Sequence, residues 1–157
     1  MRLYVIRHTH AGHRSAWDGP DDLRPLSTKG RRQAEAIADN LASAGIDRLV
    51  SSDSVRCVQS LEPLSQRLGL PVEVDPRLRE GSTGEAALDL AGELGKEQAA
   101  AAALCSHGDV IPDMLRTLKA TTARFKDPLQ WPKASTWVVT WDDDRWTRAR
   151  YIPPPEL

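Results

Sequence analysis

At 157 residues the chain has the length of a single domain, 1–157, with enough material for a proper core. A hydrophobic share of 40% and a charged share of 27% are those of an ordinary soluble globular protein. The formal net charge of −1 gives no overall pull toward nucleic acid polymers or anionic membranes. No apolar run of about 18 residues marks a membrane span. The stretch MRLYVIRH lacks the apolar core of a signal peptide, and the two cysteines, Cys57 and Cys105, make no disulfide framework. A reducing, cytoplasmic setting is expected.

Strand-like and helix-like segments alternate along the chain. Leu3–Arg7 is short, apolar and β-branched, as a buried strand should be. Gly12–Pro25 is polar, with Gly, Pro and Asp, and is expected to be a loop. From Thr28, apolar residues recur at helical spacing (Ala34, Ile37, Ala38, Leu41) until Gly45. Arg48–Ser52 is a second strand. Asp53 or Ser54 caps a helix to about Leu68, closed by Gly69, with Pro63 as the place where it would kink. Pro71–Val74 is a third strand, at an edge.

The loop Asp75–Thr83 leads to a helix over about Gly84–Gly95. The alanine run from Ala99 scores as helix on propensity alone. Its ending, AALCSHG, has the form of a strand feeding a glycine turn, so Ala102–Ser106 is assigned to a strand. Val110–Lys119 is helical, with Pro112 tolerated in the first turn. STWVVTW and RWTRARY form a hairpin across Asp142–Asp144, and PPPEL is a short tail. Strands separated by helices predict an α/β fold, a three-layer sandwich around a mostly parallel sheet.

Three of the four histidines crowd into VIRHTHAGHR, as His8, His10 and His13. Two chemistries compete for them. One is a zinc hydrolase, because the run is close to an HxHxDH pattern. The other uses His8 alone, with Arg7 as its partner. Chemistry in such sheets collects at the carboxyl ends of the strands. That rule brings together Arg7-His8, then Ser54 and Arg56, then Arg79 and Glu80, and finally Ser106-His107-Gly108. Arginine pairs bidentately with phosphate oxygens. A neutral imidazole is a competent nucleophile, and a carboxylic acid can protonate a leaving oxygen. The chemistry this suggests is phosphoryl transfer through a phosphohistidine, with electrostatic stabilisation of the group in flight.

The segments that carry these residues resemble the histidine phosphatase, or phosphoglycerate-mutase-like, superfamily. RHTHAG is similar to the RHG or RHA motif after the first strand, and LRPLSTKGRRQAEAIADNL to an LSxxGxxQA helix entry. SSDSVRCVQSLEPL resembles the SSxxxRxxQT segment, and LCSHGDV the second-histidine motif. The order holds from about Arg2 to Leu118. The resemblance implies a phosphoglycerate-mutase-like fold, with no metal and no cofactor. It makes His8 the nucleophile and assigns Arg7, Arg56 and His107 to the pocket for the phosphoryl oxygens. Glu80 takes the place of the acid, with Glu85 and Asp109 as alternatives.

Within the superfamily two likenesses compete. Length and compactness resemble SixA-type phosphohistidine phosphatases. CSHGDVIPDML, KASTWVV and the hairpin look more like the histidine-phosphatase domain fused to Nudix hydrolases in actinobacteria, which acts on nucleotide phosphates. No Nudix signature occurs here, and insertions that would cover a phosphoglycerate substrate are absent. The implied partner is a phosphorylated small molecule, a nucleotide or a phosphohistidine protein.

Departures from the pattern single out further positions. Thr9 stands where glycine or alanine is usual and could crowd the pocket or bind phosphate. Cys57 and Ser60 replace alanine and threonine, and Gly108 occupies a place where some members carry the acid. Trp17 is a candidate for stacking on a base, and Arg14 and Lys29 are candidates for binding an anionic substrate. His10 and His13 are expected to be loop residues.

Other classes fare worse. A zinc hydrolase needs an aspartate where Gly12 stands, and further ligands downstream. A cysteine phosphatase needs CX5R, but Pro63 and Ile111 hold the arginine positions after Cys57 and Cys105. P-loop and dinucleotide signatures are absent. The non-enzyme alternative is a phosphate-binding module with a degenerate site.

Overall fold

The computed structural model describes residues 1–157. Seven strands form one sheet: β1 (Arg2–Arg7), β2 (Arg48–Ser51), β3 (Val72–Val74), β4 (Ala101–Ser106), β5 (Arg124–Phe125), β6 (Thr136–Asp142) and β7 (Arg145–Ile152). Four helices connect them: α1 (Thr28–Leu41), α2 (Val55–Leu68), α3 (Gly84–Lys96) and α4 (Val110–Lys119). The strand order is β3-β2-β4-β1-β6-β7-β5. The block β3-β2-β4-β1 is parallel, while β6 runs antiparallel to both β1 and β7. No helix is long and apolar enough to cross a membrane.

The three layers follow from strand alternation, because successive side chains face opposite sides of a sheet. Leu3 and Val5 of β1, with Ala102 and Leu104 of β4, pack beneath α3 and α4. Tyr4 and Ile6, with Ala103 and Cys105, pack against α1 and α2. Both faces of β4 are covered, and every residue of the strand is buried. Burial on two sides thus overrides the helical preference of its alanines. Small side chains here let both helix pairs approach the sheet.

The helix ends obey local rules. Ser27 Oγ accepts the Gly30 amide at the start of α1, and Thr83 accepts the Ala86 amide at the start of α3. Gly69 closes α2 in the left-handed conformation that glycine adopts freely. Ser54 precedes α2 as expected, but its side chain makes no capping bond. Pro63 lies inside α2 without ending it. The expected loop Gly12–Pro25 holds two short 3-10 turns, Arg14–Ala16 and Asp21–Leu23. Strand β5 was not predicted: at two residues it is too short to carry a periodic pattern.

Candidate active site

Strands β1, β2 and β4 end at one rim of the sheet, and a cavity of about 510 Å³ opens there. Its floor and walls include Arg7, His8, Arg56, Glu80, His107 and Gly108, drawn from four separate stretches of chain. His8 and His107 face each other with ring centroids 5.5 Å apart.

His8 is 5% exposed, and its Nδ1 lies 2.8 Å from the carbonyl oxygen of Thr9. A carbonyl can only accept, so Nδ1 carries the proton and Nε2 keeps the lone pair. Burial drives the His8 pKa down to about 3, and the charges of His107, Arg56 and Arg7 push the same way against the Thr9 carbonyl. The ring is therefore a neutral base at physiological pH.

Cations surround this ring. Arg7 Nη1 donates to the Trp131 carbonyl at 2.9 Å. Arg56 Nη1 donates to the Asp21 carbonyl at 2.7 Å, although the residue is 1% exposed. The Nε of each arginine is buried and has no protein acceptor. Buried donors are seldom left so. His107 Nε2 is 2.8 Å from Ser52 Oγ, and its Nδ1 is 3.4 Å from Arg56 Nη2.

Glu80 stands at the mouth. Its carboxylate accepts from Arg14 Nη2 at 3.0 Å and from Arg56 Nη2 at 3.3 Å. Asp109, the alternative acid, also lines the cavity. Its Oδ2 accepts the Gly81 amide at 2.7 Å and its Oδ1 the Val110 amide at 2.8 Å. It thus caps α4 and pins the loop that presents Glu80. Glu85 lies exposed at the start of α3, away from the cavity.

Gly108 has a steric reason. A Cβ there would lie 2.6 Å from Arg7 Cζ, so the residue after the second histidine must be bare for the Arg7 guanidinium to lie across it.

Three of the candidate residues lie outside this cavity. Thr9 is fully buried outside the cavity, between α1 and α2. Its hydroxyl donates to the Gly30 carbonyl at 2.8 Å, and its amide donates to Ser60 Oγ at 3.0 Å. Its side chain does not line the cavity. Trp17 lies outside the main cavity as well. Its Nε1 donates to the Pro20 carbonyl at 2.9 Å, and the ring walls a smaller adjoining cleft. Lys29 is exposed and also lies away from the cavity. Arg14, by contrast, lines the mouth through its pair with Glu80.

The zinc arrangement fails on geometry. His8 spends Nδ1 on the Thr9 carbonyl, His10 Nδ1 contacts Ser27 Oγ at 2.6 Å, and His13 is exposed on the following turn. No group of three His, Cys, Asp or Glu side chains is placed to hold a metal ion.

Several residues of the cavity were not foreseen: Arg24, Trp131 and Lys133, with Asp21 and Ser52 behind them. Arg24 sits within LRPLS, a segment already singled out for the helix entry. Trp131 and Lys133 directly precede the β6 strand. Neither stretch carries a chemical pattern of its own, and only the fold brings them to His8.

A model of the histidine phosphatase superfamily (branch 1) matches residues 3–89, from β1 into α3. The chain belongs to that superfamily. The matched span holds Arg7, His8, Arg56 and Glu80 but stops before His107, which the fold supplies. The chain is 35% identical over 161 residues to an 8-oxo-(d)GTP phosphatase of Mycolicibacterium smegmatis, covering 98% of this chain and 48% of that protein. It is 37% identical over 86 residues to a probable phosphoglycerate mutase of Proteus mirabilis, covering 54% of this chain and 40% of that one. The chain thus spans about half the length, or less, of these curated relatives. Among solved structures, the protein histidine phosphatase SixA bound to tungstate superposes with TM-score 0.77 at 24% identity, over 95% of this chain and 96% of that one. A mycobacterial glucosyl-3-phosphoglycerate phosphatase superposes with TM-score 0.74 at 22% identity, over 96% of each chain. These likenesses establish the phosphoglycerate-mutase-like fold.

Proposed function

We propose that this cavity is the active site of a phosphatase that works through a phosphohistidine on His8, with nucleotide phosphates as its preferred substrates. The observation that carries the catalytic half is the state of His8. It is a neutral imidazole with Nε2 free, set among guanidinium groups whose buried Nε donors lack acceptors.

The chemistry follows from that arrangement. His8 Nε2 attacks phosphorus in line, and the bond from phosphorus to the leaving oxygen breaks. Arg7, Arg56 and His107 balance the charge on the phosphoryl oxygens, the effect that dominates in phosphoryl transfer. Glu80 in its acid form gives its proton to the leaving oxygen. Water then attacks the phosphohistidine, Glu80 takes the water proton, and phosphate departs with His8 restored. Asp109 acts at one remove, by holding the Gly81 amide beside Glu80.

Support for a nucleotide comes from the likeness to the 8-oxo-(d)GTP phosphatase, which runs through nearly the whole chain. The likeness to SixA lies in the fold. A panel comparing nucleoside mono-, di- and triphosphates with a phosphohistidine protein tests this. The nucleotides are expected to exceed the phosphoprotein in kcat/KM by about tenfold or more, roughly 1.4 kcal/mol of transition-state binding. The opposite ranking would overturn the substrate half, and absence of turnover on every phosphorylated compound would favour a binding module.

A further inference from the structure

The cavity holds more positive charge than one phosphoryl group needs. Arg7, Arg56 and His107 already surround the place beside His8. Arg24 and Lys133 line the cavity as well. Arg24 is 7% exposed. Its Nε is paired with Asp21 Oδ1 at 2.9 Å, and its Nη1 donates to the Ala11 carbonyl at 2.7 Å. These bonds fix the guanidinium and leave Nη2 without a protein partner.

Lys133 is half-buried and makes no hydrogen bond or ion pair within the protein. Burial lowers its pKa, and the charged groups that act on it are all cations: Arg7, Arg24 and Arg56. Lys133 shares the cavity with Arg7, Arg24 and Arg56 and has no ion-pair partner, an arrangement that an arriving anion relieves.

The backbone shows that this placement is imposed. The next residue, Ala134, is 1% exposed and adopts φ 69°, a conformation that residues with a Cβ rarely hold. Its amide lies 3.1 Å from the Arg7 carbonyl and 3.2 Å from that of His8. The segment that bears Lys133 is therefore pinned to the two residues at the head of the site.

We propose that Lys133 and Arg24 Nη2 form a second anion subsite, which takes a phosphate joined through a bridging oxygen to the phosphoryl group that His8 receives. The substrate class is then a di- or triphosphate cleaved at its terminal phosphate. This rests on the reading of the cavity as a phosphoryl site. A phosphate in that position spreads one negative charge over two non-bridging oxygens, one for Lys133 and one for Arg24 Nη2.

The test uses non-hydrolysable probes, so it stands apart from turnover and from phosphohistidine formation. Affinities of methylenediphosphonate, phosphonoacetate and methylphosphonate are measured by calorimetry on the wild type and on Lys133→Met and Lys133→Arg. The wild type is expected to prefer the diphosphonate over the monophosphonate by about tenfold, as charge-assisted contacts in a partly buried site allow. Lys133→Met should bring that ratio close to one, and Lys133→Arg should keep most of it. A wild-type ratio near one, or a ratio that survives Lys133→Met, overturns the subsite. Equal loss for all three probes would mean that Lys133 serves the transferred phosphoryl group instead. Tightest binding of phosphonoacetate would replace the second phosphate with a carboxylate. If the diphosphonate preference holds while no phosphoenzyme forms, the subsite stands and the catalytic reading falls.

Discussion

His8 donates its Nδ1 proton to the carbonyl oxygen of Thr9 at 2.8 Å. This bond between neighbouring residues selects the tautomer, and burial keeps the ring uncharged to about pH 3. The ring resonance of His8, followed by NMR, should therefore titrate near pH 3, well below the usual value of about 6.5. A midpoint near 6.5 would contradict the buried, neutral nucleophile.

The same suppressed basicity links to stability. The unfolded chain takes up a proton on His8 as pH falls through about 6.5, whereas the folded chain resists until about 3. Stability is therefore complete above the unfolded value and is lost as pH drops between the two. The loss amounts to a few kcal/mol, since each tenfold difference in proton affinity is worth about 1.4 kcal/mol. Denaturant titrations across that window should show a shallower pH slope for His8→Asn than for the wild type. Identical slopes would refute the linkage.

Thr9 should behave as a structural residue. Thr9→Ala removes the buried hydroxyl that donates to the Gly30 carbonyl, at an expected cost of about 1–2 kcal/mol in unfolding free energy. KM should change little, since the side chain lies outside the cavity. Unchanged stability with a much raised KM would return Thr9 to the phosphate site.

Gly108 should matter through Arg7. A methyl at 108 falls 2.6 Å from Arg7 Cζ, and Arg7 is tied to the Trp131 carbonyl. Gly108→Ala is expected to weaken competitive inhibition by inorganic phosphate about tenfold, by displacing a charged donor. Unaltered inhibition would show that the guanidinium shifts freely.

The layered architecture could be read from the sequence because its signals are local. A hydrophobic β-branched run marked β1, helical spacing marked α1, and the SHG turn argued that an alanine-rich segment was a strand. The residues at the strand ends were legible for the same reason, since sheet topology fixes where Arg7, His8 and His107 emerge. What escaped depends on distant contacts. The roles of Lys133 and Arg24 exist only because the Ala134 amide meets the Arg7 and His8 carbonyls and because the 3-10 turn at Asp21 folds over Arg56. Thr9 could not be placed from sequence, because its direction depends on how closely α1 and α2 approach. The bond from Trp17 Nε1 to the Pro20 carbonyl, and the small cleft its ring walls, likewise depend on how the segment between β1 and α1 folds.

Glu80 should show its role through the leaving group. Glu80→Gln keeps the shape but cannot supply a proton. Hydrolysis of alkyl phosphates is expected to slow about a hundredfold, while esters of acidic phenols should change little. A Brønsted plot over a series of phenols would display the difference as a steeper slope in the variant. Equal loss for every leaving group would move the acid role to another residue.

Rapid quenching after mixing with a phosphorus-labelled nucleotide examines the nucleophile itself. The wild type should yield a covalent phosphoenzyme, labile in acid and stable in base, with the label on the peptide that contains His8. His8→Asn should yield none. Turnover by the wild type with no such intermediate, or with the label on any other residue, would contradict the assignment of His8.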